Sequence, residues 1–218
     1  MLIRQIYLSW RPGKGKRRHI VGILKRNSSE GVRFSYLLPD VKKAQEEGFV
    51  AYAEFPDISK VYTEHVMEIF SQRLIKPSRP DRIKMLQFWE ADNSNYDDFD
   101  ILALTQGWLS TDNFEFLGVY NPIKDFCFVT DIAGLSSLNL SKDFVKIGDN
   151  LKFEFEGNNE FDKDAIMIKT NRGQNIGYIK KIHCKFFHQV KSKYTPKVSV
   201  KAIDQNGIIK QLFLKVEV

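Results

Sequence analysis

Asn158, Asn159, Phe161 and Asp162 lie close together in the turn of a stretch running from Gly148 to Lys181, GDNLKFEFEGNNEFDKDAIMIKTNRGQNIGYIKK. Amide side chains both donate and accept hydrogen bonds, and a carboxylate accepts from a sugar hydroxyl. An aromatic ring stacks on any base, whatever its identity. From Ala165 to Ile203 there is no acidic residue, while Lys169, Arg172, Lys180, Lys181, Lys185, Lys191, Lys193, Lys197 and Lys201 are all basic. A polar turn beside a field of one sign suits an anionic ligand such as a nucleic-acid end. The same residue types also have a plain structural use. Asn and Asp close tight turns by bonding backbone N–H groups, and the aromatic would then pack in a core.

The charge distribution points to the same half of the chain. The 218 residues carry a net charge of +6. Residues 1–118 hold 17 Lys and Arg against 16 Asp and Glu, whereas residues 119–218 hold 16 against 11. A local cationic excess favours polyanions through phosphate contact and counterion release, although a solvated lysine-rich surface has the same composition. With 43% apolar and 28% charged residues the chain is an ordinary globular sequence, long enough for one or two domains. Its apolar runs are too short to span a membrane. Met1-Leu2-Ile3-Arg4 does not open a signal peptide. Cys127 and Cys184 cannot make a disulfide framework, and a reducing cytoplasm is the expected location.

The elements that must position the turn follow from periodicity. The first third reads as a small meander: a run containing Ile3, Ile6 and Leu8, a basic turn from Arg11 to Lys16, then His19–Leu24 and Gly31–Tyr36. The glycines of that turn lack phosphate-loop spacing, so a hairpin is expected there. A helical block follows, with Asp40 as a cap and Gly48 as a stop, then Glu64–Leu74, a helix from Asp81, and Asp97–Leu104. A strand at 113–117 closes the half, and Asn121–Asp125 is the linker. Strands are expected at 126–135, 150–156, 165–170, 175–179, 197–203 and 208–216, with a hairpin turn at Asp204-Gln205-Asn206-Gly207. One helix, Lys181–Lys191, interrupts them. It carries Ile182, Phe186, Phe187 and Val190 on one face and Lys181, Lys185 and His188 on the other. The fold class is therefore α+β: an N-terminal β meander with helices, then a small C-terminal β-barrel or curled sheet with one helix.

Two families are resembled. Residues from about Phe126 to Val216 resemble the HIRAN domain, a small β-barrel found at the front of helicase-like DNA-repair translocases and as a free-standing bacterial module. The resemblance rests on Gly134-Leu135, Lys146-Ile147-Gly148-Asp149-x-Leu151, Asn158-Asn159-Glu160-Phe161-Asp162-x-Asp164-Ala165-Ile166 and Gly173-x-x-Ile176-Gly177-Tyr178-Ile179. It implies a pocket for the 3′ end of single-stranded DNA. Asn158, Asn159 and Asp162 would contact the terminal sugar, Phe161 would stack on a base, Tyr178 would stand nearby, and Lys180, Lys181 and Lys185 would hold phosphates. DNA-binding members carry a basic residue and an aromatic after the Gly-Leu; here Ser136 and Ser137 occupy those places.

Residues 3–118 resemble the N-terminal subdomain of HipA-type kinases. The features are Val21-Gly22-Ile23-Leu24, Val32–Tyr36, the stretch Arg79–Leu86, Asp97–Leu104 and a strand at Phe114–Phe116. That subdomain is not catalytic, and the kinase core is missing. The resemblance implies a docking half, residues 1–120, and an accessory or antitoxin-like subunit that restrains a separately encoded HipA-like kinase. The HIRAN-like half would then be residues 125–218.

Catalytic chemistry is not expected. His19, His65, His183, His188 and the two cysteines make no metal-ligand pattern, and His183 and His188 are off the one-face spacing of a zinc helix. Asp97, Asp98 and Asp100 read as a helix N-terminus rather than a metal site. No nucleophile elbow or kinase loop is present. The expectation is a binding protein with no enzyme activity, cofactor or metal.

Overall fold

The computed structural model describes residues 3–13 and 15–218; Met1, Leu2 and Lys14 of the basic turn lie outside the described residues. The chain divides after Val119 into two compact units. Both mix strands and helices, as the α+β reading expects.

In the N-terminal unit, β1 (Gln5–Trp10), β2 (His19–Asn27), β3 (Gly31–Tyr36), β4 (Val61–Tyr62) and β5 (Phe114–Gly118) form one antiparallel sheet in the order β4-β3-β2-β1-β5. Alternation puts Ile6, Leu8, Leu24, Phe34 and Phe116 in the core. Phe70 meets Phe34 edge-on at 5.3 Å and Phe116 at 5.0 Å, which ties the helical layer to the sheet.

Four short helices make that layer: α1 (Leu38–Glu46), α2 (Val66–Phe70), α3 (Arg82–Phe88) and α4 (Asp98–Leu104). Three expected boundaries shift. Asp40 does not cap α1; Pro39 opens the helix and Asp40 lies in its first turn, because proline's fixed φ suits that place. The helix expected over 64–74 is only α2 followed by a 3-10 turn at Ser71–Arg73, since His65 is left-handed at φ 56°. Asp81 precedes α3 but spends its carboxylate on Arg79 instead of on helix N–H groups.

The acids before α4 do more than favour a helix dipole. Asp97 accepts from the Asp100 N–H as an N-cap. Arg26 of β2, only 7% exposed, reaches both: its guanidinium donates to Asp97 at 2.6 Å, to Asp100 at 2.5 Å and to the Ile3 carbonyl at 2.5 Å. Asp100 also accepts from the Ile3 N–H. A second buried arginine, Arg73, joins the Gly107 carbonyl, the Tyr52 hydroxyl and both Asp112 oxygens.

The C-terminal unit is a curled six-stranded sheet, β6 (Cys127–Asp131), β7 (Asn150–Phe155), β8 (Ile166–Lys169), β9 (Asn175–Tyr178), β10 (Lys197–Asn206) and β11 (Ile208–Glu217), ordered β6-β11-β10-β7-β8-β9. Its two edges meet. Just past β6, Ala133 and Tyr178 exchange two backbone hydrogen bonds of 2.8 and 2.9 Å, which curls the sheet round on itself. The strand expected to run to Leu135 stops at Asp131, because Gly134 is left-handed (φ 78°) and a 3-10 turn, Leu135–Ser137, follows. The one helix, α5 (Lys181–Val190), buries His183, Cys184, Phe186, Phe187 and Val190. Burial pushes the Cys184 thiol up to about 12, so this cysteine is an inert core residue. No helix among the described residues is long and apolar enough to cross a membrane.

Removing Asp100 leaves Arg26 with Asp97 as its only carboxylate and strips the buried Ile3 N–H of its acceptor. Asp100→Ala is expected to cost about 1–3 kcal/mol. Tryptophan fluorescence in a urea titration reads this, because Trp10, Trp89 and Trp108 all belong to the N-terminal unit. A loss below about 1 kcal/mol would show the cluster to be dispensable.

Candidate nucleic-acid interface

Residues 156–165 form a loop between β7 and β8, and Asn159 is its organiser. Its Oδ1 accepts from the Phe161 and Asp162 N–H groups at 3.0 Å each, and its Nδ2 donates to Glu156 Oε2 at 2.7 Å. Asp162 in turn accepts from the Asp164 N–H at 3.1 Å, and the Ala165 N–H donates to the Asp162 carbonyl. These are nested Asx turns, in which short polar side chains replace backbone partners that the irregular segment lacks. Asn159 and Asp162 therefore shape the loop and spend most of their bonding capacity doing so. Asn158 points the other way energetically: it is exposed.

The turn does not bury its aromatic. Phe161 is 91% exposed, so the core-packing use of this ring is ruled out. Tyr178 at the end of β9 has its hydroxyl near the Glu156 carboxylate and Asn159. Burial raises the Tyr178 pKa above its ordinary value, Glu156 adds to the rise, and Asn159 opposes it. Asn159 and Glu156, bonded to each other, thereby stand beside the strand end at Tyr178.

The seam brings a second loop alongside. Gly134 lies against Tyr178, where a Cβ would stand at ordinary contact distance, 3.5 Å, from the ring. Ser136 and Ser137 follow it, both exposed, with the Ser137 hydroxyl donating to the Gly134 carbonyl at 2.9 Å. Gly177 makes the approach possible. Its φ is +139°, and a Cβ would sit 2.6 Å from the Ala133 carbonyl oxygen and 2.4 Å from an Ile132 methyl carbon.

The three lysines separate. Lys181 and Lys185 project from the exposed side of α5, and the Lys181 ammonium is 3.9 Å from Asp162, at the weak limit of an ion pair. Lys180 does not join them. Only 2% exposed, it sits where the chain enters α5 and its ammonium pairs with Asp131 of β6. A buried lysine needs such a partner, and one so engaged is not available to a phosphate on the surface. The structure thus corrects the sequence reading for Lys180.

Sequence reasoning also passed over participants. Glu156 accepts from Asn159 and lies near the Tyr178 hydroxyl, and its place directly between β7 and the turn is the available signal. At the far end of α5, Lys191 lies 4.9 Å above the half-exposed Phe155 ring, and His188 meets the same ring edge-on at 4.9 Å. His188 is held by the Asp164 carbonyl at 3.1 Å. Among the described residues, no group of three or more His, Cys, Asp or Glu side chains is placed to hold a metal ion.

Residues 125–207 match the family model of the HIRAN domain. Among solved structures, the HIRAN domain of human HLTF is similar at 17% identity and a TM-score of 0.34, over 42% of this chain and 74% of its own. A protein from Lactobacillus plantarum is similar at 18% identity and a TM-score of 0.32, over 43% of this chain and 99% of its own. No curated protein matches the sequence.

Gly177→Ala is expected to destabilise the C-terminal unit by roughly 3 kcal/mol, through strain at positive φ together with the clash across the seam. Amide hydrogen exchange at Ala133 and Tyr178 reads the effect. Unchanged protection at both would mean that the seam tolerates a side chain.

Proposed function

We propose that this is a non-catalytic nucleic-acid-binding protein whose C-terminal unit takes the 3′ end of single-stranded DNA at the seam beside Tyr178. The observation that carries the reading is Phe161, a large ring held out in solvent by a loop that the side chains of Asn159 and Asp162 pin in place. A loop so ordered has already met much of its entropy cost, and an exposed ring gains most by stacking on a base. The HIRAN match over 125–207 supports the same ligand class. In this reading Phe161 stacks, Asn158 and the exposed edge of Asp162 meet the terminal sugar, and Lys181 and Lys185 hold phosphates. Asn159 and Tyr178 act by positioning the loop. The serine hydroxyls at 136 and 137 stand where a cation and a ring would grip harder, so modest affinity is expected.

The test is a titration of labelled single strands with free or blocked 3′ ends. Phe161→Ala should weaken binding by about 1–3 kcal/mol. Lys181→Ala and Lys185→Ala should each lower the salt dependence by about 0.7 in the logarithmic slope. Equal affinity for blocked ends would remove end recognition, and wild-type affinity in Phe161→Ala would remove the site.

A second reading concerns the N-terminal unit, which leaves Val50, Ile83 and Trp108 exposed at 77%, 65% and 44%. Apolar side chains of that size suit a protein contact. With the resemblance to the HipA N-terminal subdomain, they support docking on a separately encoded HipA-like kinase. Co-purification with such a kinase should fall at least tenfold in Ile83→Asp/Trp108→Asp. Undiminished capture by that variant would count against it.

A further inference from the structure

We propose that the N-terminal unit carries a phosphate-binding site of its own, on the exposed ends of β1, β2 and β3. An open cavity of about 270 Å³ lies there, lined by Arg4, Gln5, Lys25, Asn27, Glu30 and Arg33, with Arg26 beneath. The register explains why cations converge. Gln5 stands opposite Lys25 across β1 and β2, and Lys25 stands opposite Arg33 across β2 and β3, so the three side chains emerge in one row on one face. Like charges directly opposite each other in a sheet are destabilising. The fold keeps this pair and leaves it largely uncompensated.

The acids nearby are already engaged. Asp97 and Asp100 are held by Arg26. Glu30 accepts from Asn27 at 2.9 Å through the same oxygen that lies 3.7 Å from Arg33, the outer limit for an ion pair. Neither Arg4 nor Lys25 has an ion-pair partner among the described residues. Arg26, held by Asp97, Asp100 and the Ile3 carbonyl, serves as a rigid floor of the site.

Three cations around a shallow cavity match a doubly or triply charged oxyanion. Arg4 and Arg33 can each offer a planar fork of N–H donors, and Lys25 a point charge between them. The volume admits one or two phosphate groups. No aromatic ring lines the cavity to select a base. The ligand class is therefore a phosphate-bearing anion, either free, as a pyrophosphate, or as the backbone of a nucleic-acid strand. The site is independent of the one assigned to the C-terminal unit and stands whether or not Phe161 stacks on a base.

The experiment uses the full chain and inorganic pyrophosphate at low salt, followed by calorimetry and by tryptophan-detected thermal unfolding. Pyrophosphate should bind and raise the unfolding temperature of the wild type. Lys25→Gln/Arg33→Gln should bind at least tenfold more weakly. Without ligand, that variant should be as stable as the wild type or more so, because a repulsive pair is removed. Preserved stability separates loss of a site from loss of fold. Arg4→Gln, which leaves the cross-strand pair intact, should weaken binding to a lesser degree. A single-stranded oligonucleotide with a blocked 3′ end then competes with pyrophosphate if the ligand is a strand, and does not if it is a free phosphate. Absence of pyrophosphate binding at millimolar concentration, or wild-type affinity in the double variant, would overturn the proposal.

Discussion

The pair of backbone hydrogen bonds between Ala133 and Tyr178 governs the C-terminal unit. Without it β6 and β9 would be two open edges of a six-stranded sheet, each presenting unpaired N–H and C=O groups. With it, the sheet curls shut and the Gly134–Ser137 turn is drawn against Tyr178. Tyr178, fixed in this way, stands beside Glu156 and Asn159, which bond to each other in the long loop. A bond between strand ends is thus felt at a loop tip several residues away. The requirement falls on one position, because only glycine lets the two backbones approach so closely at residue 177.

The N-terminal unit solves a different problem. Its helices are too short to be stable alone, and they are held by aromatic contacts and by buried arginines that reach from sheet to loop. Arg26 joins β2 to the start of α4, and Arg73 joins the end of α2 to residues 107 and 112. Each guanidinium serves irregular backbone as well as carboxylates, which suits a unit where helix ends outnumber long helices. Fixed geometry of this kind also explains how exposed cations on the neighbouring strand ends can be kept facing one another.

Much of the architecture was legible from periodicity. β3 and the order of strands and helix in the second half follow from alternation and from helical spacing around Phe186, Phe187 and Val190. What failed was local. Asp40 looks like a cap in sequence, yet it lies inside the first turn of α1, just after Pro39. The Phe126–Leu135 run kept its apolar pattern past the point where a left-handed glycine ends the strand. In the candidate site, the residue types of the turn could be read, but not which of them spend themselves holding it. Asn159 and Asp162 have the same chemistry whether they face a ligand or their own backbone, and only coordinates divide the two uses. Lys180 was misplaced for a related reason. A run of lysines gives no sign of which one the start of α5 turns inward onto Asp131.

Phe161 stands apart from every one of these dependencies. The loop holds its backbone N–H through Asn159, while its ring lies almost wholly in solvent. Nothing in the folded unit relies on what side chain is present there. Most recognition residues are entangled with stability, so that selection for a new ligand drags the fold along with it. If Phe161 stacks on a ligand as proposed, the two are uncoupled here: the tip can exchange an aromatic for an amide, a cation or a small group while the sheet beneath stays the same. That freedom makes position 161 a natural place for related proteins to diverge in what they hold, with the frame of Gly177, Tyr178 and Asn159 left untouched.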